Sequence, residues 1–214
     1  FDCDGVLAET ERDGHRAAFN RMFAAEGLDF EWTEDDYASV LSVAGGKERL
    51  RRLCTDAFVE RHGLPTEQAA LDELVALWHR RKTQIFLDLV AEGRMPSRAG
   101  VRRLASEARA AGWRLAVAST SAVVSVEAIA EQVLGRELLG ECVIAAGDMV
   151  ENKKPAPDIY IHAARLLGID AYDAVAVEDS HVGVSAAVAA GMRVVATVSH
   201  YAADEDLTAA DIVV

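Results

Sequence analysis

The chain has 214 residues, 51% of them hydrophobic and 27% charged, with a formal net charge of −13. That length supports one full core plus a smaller appended module, and the balance is that of a globular chain rather than a disordered one. With no basic stripe, no polybasic patch and no apolar run of membrane-spanning length, the sequence argues against nucleic acid and membranes as partners. Cys3, Cys54 and Cys142 are odd in number and far apart, which argues against a disulfide framework or a zinc site.

The chain opens on FDCDGV. Only Phe1 precedes the first acid, whereas a buried strand needs several apolar residues, so the chain is expected to begin inside its first strand. Asp2 and Asp4, spaced by two in an extended stretch, point the same way. One carboxylate can attack phosphorus; the other can protonate a leaving alkoxide and then deprotonate water. Gly5 permits a tight turn after the strand. The competing reading is a polar loop with two solvated acids.

From about residue 14 to about residue 92 the pattern is helical. HRAAFNRMFAAEG sets Ala18 with Met22 and Phe19 with Phe23 at i, i+4, closed by Gly27. Leu71, Leu74, Val75, Trp78, Ile85 and Leu89 repeat along a second helix that ends at Gly93. From Met95 the rhythm changes: apolar runs at 114–120, 142–148, 174–180 and 193–199 alternate with amphipathic helices. This predicts an α/β fold, a doubly wound parallel sheet with helices on both faces, interrupted by a helical insertion. The expected core is 1–13 with 93–214, and the expected helical module is 14–92.

Three more clusters close predicted strands or the loops beside them, at the sheet edge where open α/β folds form their ligand crevice. Ser119, Thr120 and Ser121 offer hydroxyls and free backbone N–H groups to a phosphate; the alternative is a helix cap, with Ser121 as the capping residue. Lys154, beside Lys153 and two prolines, is held on a stiff loop where its ammonium can neutralise phosphate, unless it is simply solvated. Only four lysines occur, Lys47, Lys82, Lys153 and Lys154, which makes their positions informative. Glu178 and Asp179 are oxygen donors suited to Mg²⁺; the alternative is a helix cap, with Ser180 or Asp179 as the capping residue.

DxDGV, a hydroxyl cluster after a strand, KPxPD and EDS, in this order and over nearly the whole chain, resemble the haloacid dehalogenase superfamily of phosphohydrolases. The resemblance implies a Rossmann-like core, Asp2 as nucleophile and Asp4 as general acid/base. It also implies Ser119 and Lys154 on the transferring phosphate. It implies Mg²⁺ held by Asp2, the backbone carbonyl of Asp4 and Asp179, with Glu178 nearby or coordinating. Dehalogenase chemistry itself is disfavoured, since that branch needs no Mg²⁺ and does not use the second Asp. The helical insertion is similar to the small cap of the β-phosphoglucomutase-like subgroup. Glu9–Arg16, Gly45–Arg49 and His79–Thr83 resemble the CbbY-type xylulose-1,5-bisphosphate phosphatases. That likeness implies a second phosphate site using Lys47, Arg49 and Lys82, with His15 and Glu9 gripping the sugar or gating closure. It implies a monomer acting on a small sugar phosphate, in bacterial cytoplasm or plastid stroma, next to Rubisco chemistry. A phosphosugar mutase and a non-catalytic binding protein are the competing functions. One departure is Arg98-Ala99-Gly100, where the family often has Arg-Pro-Gly.

Overall fold

The computed structural model describes residues 1–214 and divides into two compact units, Arg12–Arg94 and Phe1–Glu11 with Met95–Val214. The first unit is helical: α1 (Ala17–Ala25), α2 (Glu34–Val40), α3 (Gly46–Leu53), α4 (Asp56–His62) and the 24-residue α5 (Gln68–Ala91). The i, i+4 rows of α1 are its buried face, with Ala18, Phe19, Met22 and Phe23 fully enclosed. They pack on α5, whose Val75, Trp78, Phe86 and Leu89 are buried in turn. Trp32 meets the edges of Phe19 at 4.9 Å and Phe23 at 5.1 Å, the perpendicular arrangement that ring quadrupoles favour. Thr33 and Thr55 cap α2 and α4 by accepting the N–H of Asp36 and of Phe58.

The second unit carries a parallel sheet. Its strands are β1 (Leu115–Ser119), β2 (Cys142–Ala146), β3 (Val175–Glu178), β4 (Arg193–Ala196) and β5 (Ile212–Val213). β1 pairs with β2, and β4 lies between β3 and β5. The two halves are joined by two residues. The Phe1 ammonium donates to the Ala116 carbonyl at 2.9 Å, Ala118 N–H donates to the Phe1 carbonyl at 2.8 Å, and Asp2 N–H donates to the Val177 carbonyl at 2.9 Å. Phe1–Asp2 is therefore the central strand position, and the spatial order is β2, β1, Phe1–Asp2, β3, β4, β5. The doubly wound α/β fold expected from the alternating runs is what forms. Small apolar residues on the strands let α8 (Asp158–Leu167) and α9 (His181–Ala189) settle closely, with Ala118, Ala145, Ile159, Ala176, Val184 and Val194 in one cluster. The remaining helices are α6 (Val101–Ala110) and α7 (Val123–Leu139). No helix is long and apolar enough to cross a membrane.

Candidate active site

Parallel strands all end on the same edge, so their last residues meet. Asp2 ends the central stub, Ser119 ends β1, and Glu178 ends β3 with Asp179 next in the chain. Lys154 reaches them from the loop before α8. Its ammonium lies 2.6 Å from Asp2 Oδ1 and 2.6 Å from Glu178 Oε1, and it also donates to the Ala118 carbonyl at 3.1 Å. Tyr160, on α8, lies 3.2 Å from the same ammonium through its hydroxyl, which also donates to Glu178 Oε1. Asp2, Lys154, Glu178 and Asp179 are all buried.

Burial sets the electrostatics. It works against the Lys154 ammonium, but Asp2 and Glu178 outweigh it and hold that ammonium charged well above the usual lysine range. Burial pushes Asp2 up to about 7, opposed by Lys154 and reinforced by Glu178 and Asp4. Asp179 is raised well above the carboxylate range by burial and then by Glu178. Three buried acids against one ammonium leave an excess of negative charge in a dry place. Oxygens from Asp2, Glu178 and Asp179 lie within 4.8 Å of one another. An all-oxygen, acid-rich set of this kind fits Mg²⁺, which neutralises the excess and prefers hard donors. Glu178 differs from the other two in being engaged on both oxygens, Oε1 by Lys154 and Tyr160 and Oε2 by the Asp179 N–H at 3.1 Å.

Two glycines make room for these acids. Gly5 has φ +82, and a Cβ there would overlap the Asp179 carboxylate. Gly183, in the first turn of α9, stands where a Cβ would collide with the Glu178 carboxylate. Gly183→Ala is expected to lower stability by about 1–3 kcal/mol, since the enclosed carboxylate cannot retreat without breaking its bonds to Lys154 and Tyr160. Urea unfolding checks this, and an unchanged midpoint would contradict it.

Asp4 stands apart from the metal-type cluster and is gripped by two hydroxyls. Thr10 Oγ1 donates to Asp4 Oδ1, and Ser121 Oγ donates to Asp4 Oδ2 at 2.6 Å. Ser121 therefore does not cap α7; that place falls to Ala122, without a side-chain bond. The Ser121 N–H turns back to Ser119 Oγ at 3.1 Å, and Thr120 lies half-buried between them. Ser180 caps α9 through the Gly183 N–H.

The remaining candidates lie elsewhere. Glu9 pairs with Arg98. In the helical unit, Lys82 is buried within the charged HRRK run, with its ammonium 2.7 Å from His15 Nδ1 and 4.7 Å from the Phe19 ring centroid. His15 stacks on Phe86 at 4.2 Å. Arg49 is buried too, donating to the Val43 carbonyl at 2.9 Å and to the Tyr37 hydroxyl at 2.7 Å. Lys47 is half-buried on α3. Sequence reasoning gave no individual role to Thr10, Arg98 or Tyr160. Tyr160 sits on the apolar face of α8, where a tyrosine reads as packing, and only the fold shows its hydroxyl on Lys154 and Glu178.

The family profile of haloacid dehalogenase-like hydrolases matches residues 1–191. The CbbY protein of Cereibacter sphaeroides is 44% identical over 214 residues, covering 99% of this chain and 88% of that protein. A CBBY-like protein of Arabidopsis thaliana is 43% identical over 217 residues, and this chain spans 66% of its length. Among solved structures, CbbY from Rhodobacter sphaeroides in complex with phosphate superposes with a TM-score of 0.88 at 42% identity, covering 100% of this chain and 91% of that one. A variant of that protein in complex with xylulose-1,5-bisphosphate matches with the same TM-score at 41% identity and the same coverage. A β-phosphoglucomutase from Clostridium difficile, TM-score 0.77 at 19% identity over 100% of this chain and 88% of that one, shares the fold. With its four strand-end clusters meeting at one edge and these relatives spanning its full length, the chain belongs to the haloacid dehalogenase-like hydrolase family, among the CbbY-like proteins.

Proposed function

We propose that this hydrolase removes one phosphate from xylulose-1,5-bisphosphate, giving xylulose 5-phosphate, through a phosphoryl group carried on Asp2. The broader statement, a phosphatase of the haloacid dehalogenase-like family acting on sugar phosphates, rests on the family match and the CbbY relatives. The observation that carries the chemistry is the buried meeting of Asp2, Lys154, Glu178 and Asp179 at the edge where β1 and β3 end.

In this reading an Asp2 oxygen attacks phosphorus while the ester oxygen leaves with a proton from Asp4. Asp4 then takes a proton from the water that attacks the aspartyl phosphate, which frees phosphate and restores Asp2. The hydroxyls of Thr10 and Ser121 suit both halves, because a hydroxyl donates to a carboxylate and accepts from a carboxylic acid. Lys154 favours the ionised form of Asp2 against its burial and meets an oxygen of the transferring group, with Ser119, Thr120 and Ser121 offering further donors. Asp2, the Asp4 carbonyl and Asp179 would hold Mg²⁺, with Glu178 behind them; the ion supplies positive charge to the phosphate in the transition state. Lys47, Arg49, Lys82 and His15 are the proposed selectors of the second phosphate and the sugar, with Glu9. The support is the likeness to a CbbY protein in complex with xylulose-1,5-bisphosphate and the buried contact of Lys82 with His15.

The test is phosphate release across sugar mono- and bisphosphates. We expect kcat/KM for xylulose-1,5-bisphosphate to exceed that for other sugar phosphates by at least about tenfold, roughly 1.4 kcal/mol in transition-state terms, and excess EDTA to abolish turnover. Full activity in EDTA would overturn the metal assignment. Conversion of hexose 1-phosphate to 6-phosphate without phosphate release would overturn hydrolysis in favour of a mutase.

A further inference from the structure

We infer that Arg98 is a positioning residue for the acid/base carboxylate, acting through Glu9 and Thr10. Three observations lead to it. First, the segments on either side of the insertion pair as a short ribbon in the sheet unit: Arg98 N–H donates to the Leu7 carbonyl at 2.9 Å, Glu9 N–H donates to the Pro96 carbonyl at 3.2 Å, and Ala8 bridges Ser97 in antiparallel fashion. Second, the Arg98 guanidinium fastens this ribbon sideways. Nη1 grips the Glu9 carboxylate, while Nη2 donates to Thr197 Oγ1 and to the Val198 carbonyl, each at 2.8 Å. Third, both ends of that clasp lead to the chemistry. Glu9 is followed by Thr10, fully buried and bonded to Asp4. Thr197 donates its N–H to the Glu178 carbonyl at 2.8 Å. Arg98 thus sets the register between the segment that aims Asp4 and the strand end that bears Glu178 and Asp179.

The ion pair itself adds little to stability. The side chains of Arg98 and Glu9 are 23% and 31% exposed, and pairs of that kind are worth little in water. Its value lies in geometry: a guanidinium presents a planar fork that satisfies Glu9, Thr197 and Val198 at once, whereas an ammonium on a flexible stem does not fix all three. Displacement of Thr10 would leave Asp4 held by Ser121 alone among these two hydroxyls and turned off the line to the leaving oxygen.

The inference rests on the proposed role of Asp4, and leaving-group chemistry separates the two. An alkoxide must be protonated as it departs; p-nitrophenolate need not be, so an aryl ester bypasses the general acid. The experiment measures the single-turnover rate of leaving-group release, which reports transfer to Asp2 and not the later attack by water, for xylulose-1,5-bisphosphate and for p-nitrophenyl phosphate with Arg98→Gln, Arg98→Lys, Thr197→Val and Asp4→Asn, all with Mg²⁺. For Arg98→Gln we expect the saturating rate on the sugar ester to fall about 10- to 100-fold, within the range general acids contribute. The aryl ester should change by less than about threefold, with the half-saturating concentration little altered for either. Arg98→Lys and Thr197→Val, milder changes that keep the fold if Arg98→Gln loses it, should show the same pattern more weakly. Equal losses in leaving-group release from both esters, a raised half-saturating concentration with the saturating rate unchanged, or no loss would each overturn the role of Arg98. If Asp4→Asn slows leaving-group release from both esters equally, the reading of Asp4 as general acid fails and the inference falls with it. If Asp4→Asn discriminates and the Arg98 variants do not, only the inference fails.

Discussion

Asp2→Asn is expected to lower kcat for phosphate release by about 10⁴-fold or more while leaving the protein folded, because an amide of the same shape cannot attack phosphorus. The surroundings make this a clean substitution. Lys154 keeps its 2.6 Å contact with Glu178, so no ammonium is left stranded. The backbone bond from Asp2 N–H to Val177 that seats the central strand is untouched. The change also withdraws one carboxylate from a buried set of three, so thermal stability of the metal-free protein should hold or rise. Kinetics with circular dichroism check both parts. Retention of more than about 1% of the parental kcat, against the loss expected for a missing nucleophile, would remove Asp2 from that role.

Lys154→Met should damage both activity and stability. The ammonium is the cation that the structure sets against Asp2 and Glu178, with its side chain 6% exposed. Removing one member of a buried pair strands its partners, at a cost of about 3–5 kcal/mol. The loss of positive charge at the transferring phosphate should lower kcat by about 10²–10³-fold or more. Lys154→Arg is not expected to rescue either. The site surrounds a compact ammonium with Asp2, Glu178, Tyr160 and the Ala118 carbonyl, and a planar fork does not fit that arrangement. Urea unfolding of metal-free protein should show the loss; a change below about 1 kcal/mol would mean the acids relax without their cation.

The alternating apolar runs specified the parallel sheet because strands buried on both faces have few other sequences open to them. The four acid, hydroxyl and lysine clusters were legible for the same reason, since each follows a run whose end the fold must bring to one edge. What was hidden depended on long-range packing. A single apolar residue before Asp2 gives no strand periodicity, yet Phe1–Asp2 sits between β1 and β3 because both neighbours offer it unpaired backbone groups. Ser121 resembles a helix cap by local spacing, but Asp4, distant in sequence, claims its hydroxyl. Lys82 lies among charged neighbours that imply a solvated face, yet the turn of α5 carries it inward onto His15 and Phe19. The contacts of Tyr160 and Arg98 were hidden too, since both are defined by partners on other elements.

The most direct test of the mechanism is the stereochemistry of hydrolysis at phosphorus. Sugar bisphosphate whose reacting phosphate is replaced by a phosphorothioate of known configuration, with one oxygen isotope enriched at phosphorus, is hydrolysed in water enriched in another, and the configuration of the released thiophosphate is read. Transfer first to Asp2 and then to water makes two in-line displacements, which predicts net retention. Net inversion would show a single direct attack by water and would contradict Asp2 as the nucleophile.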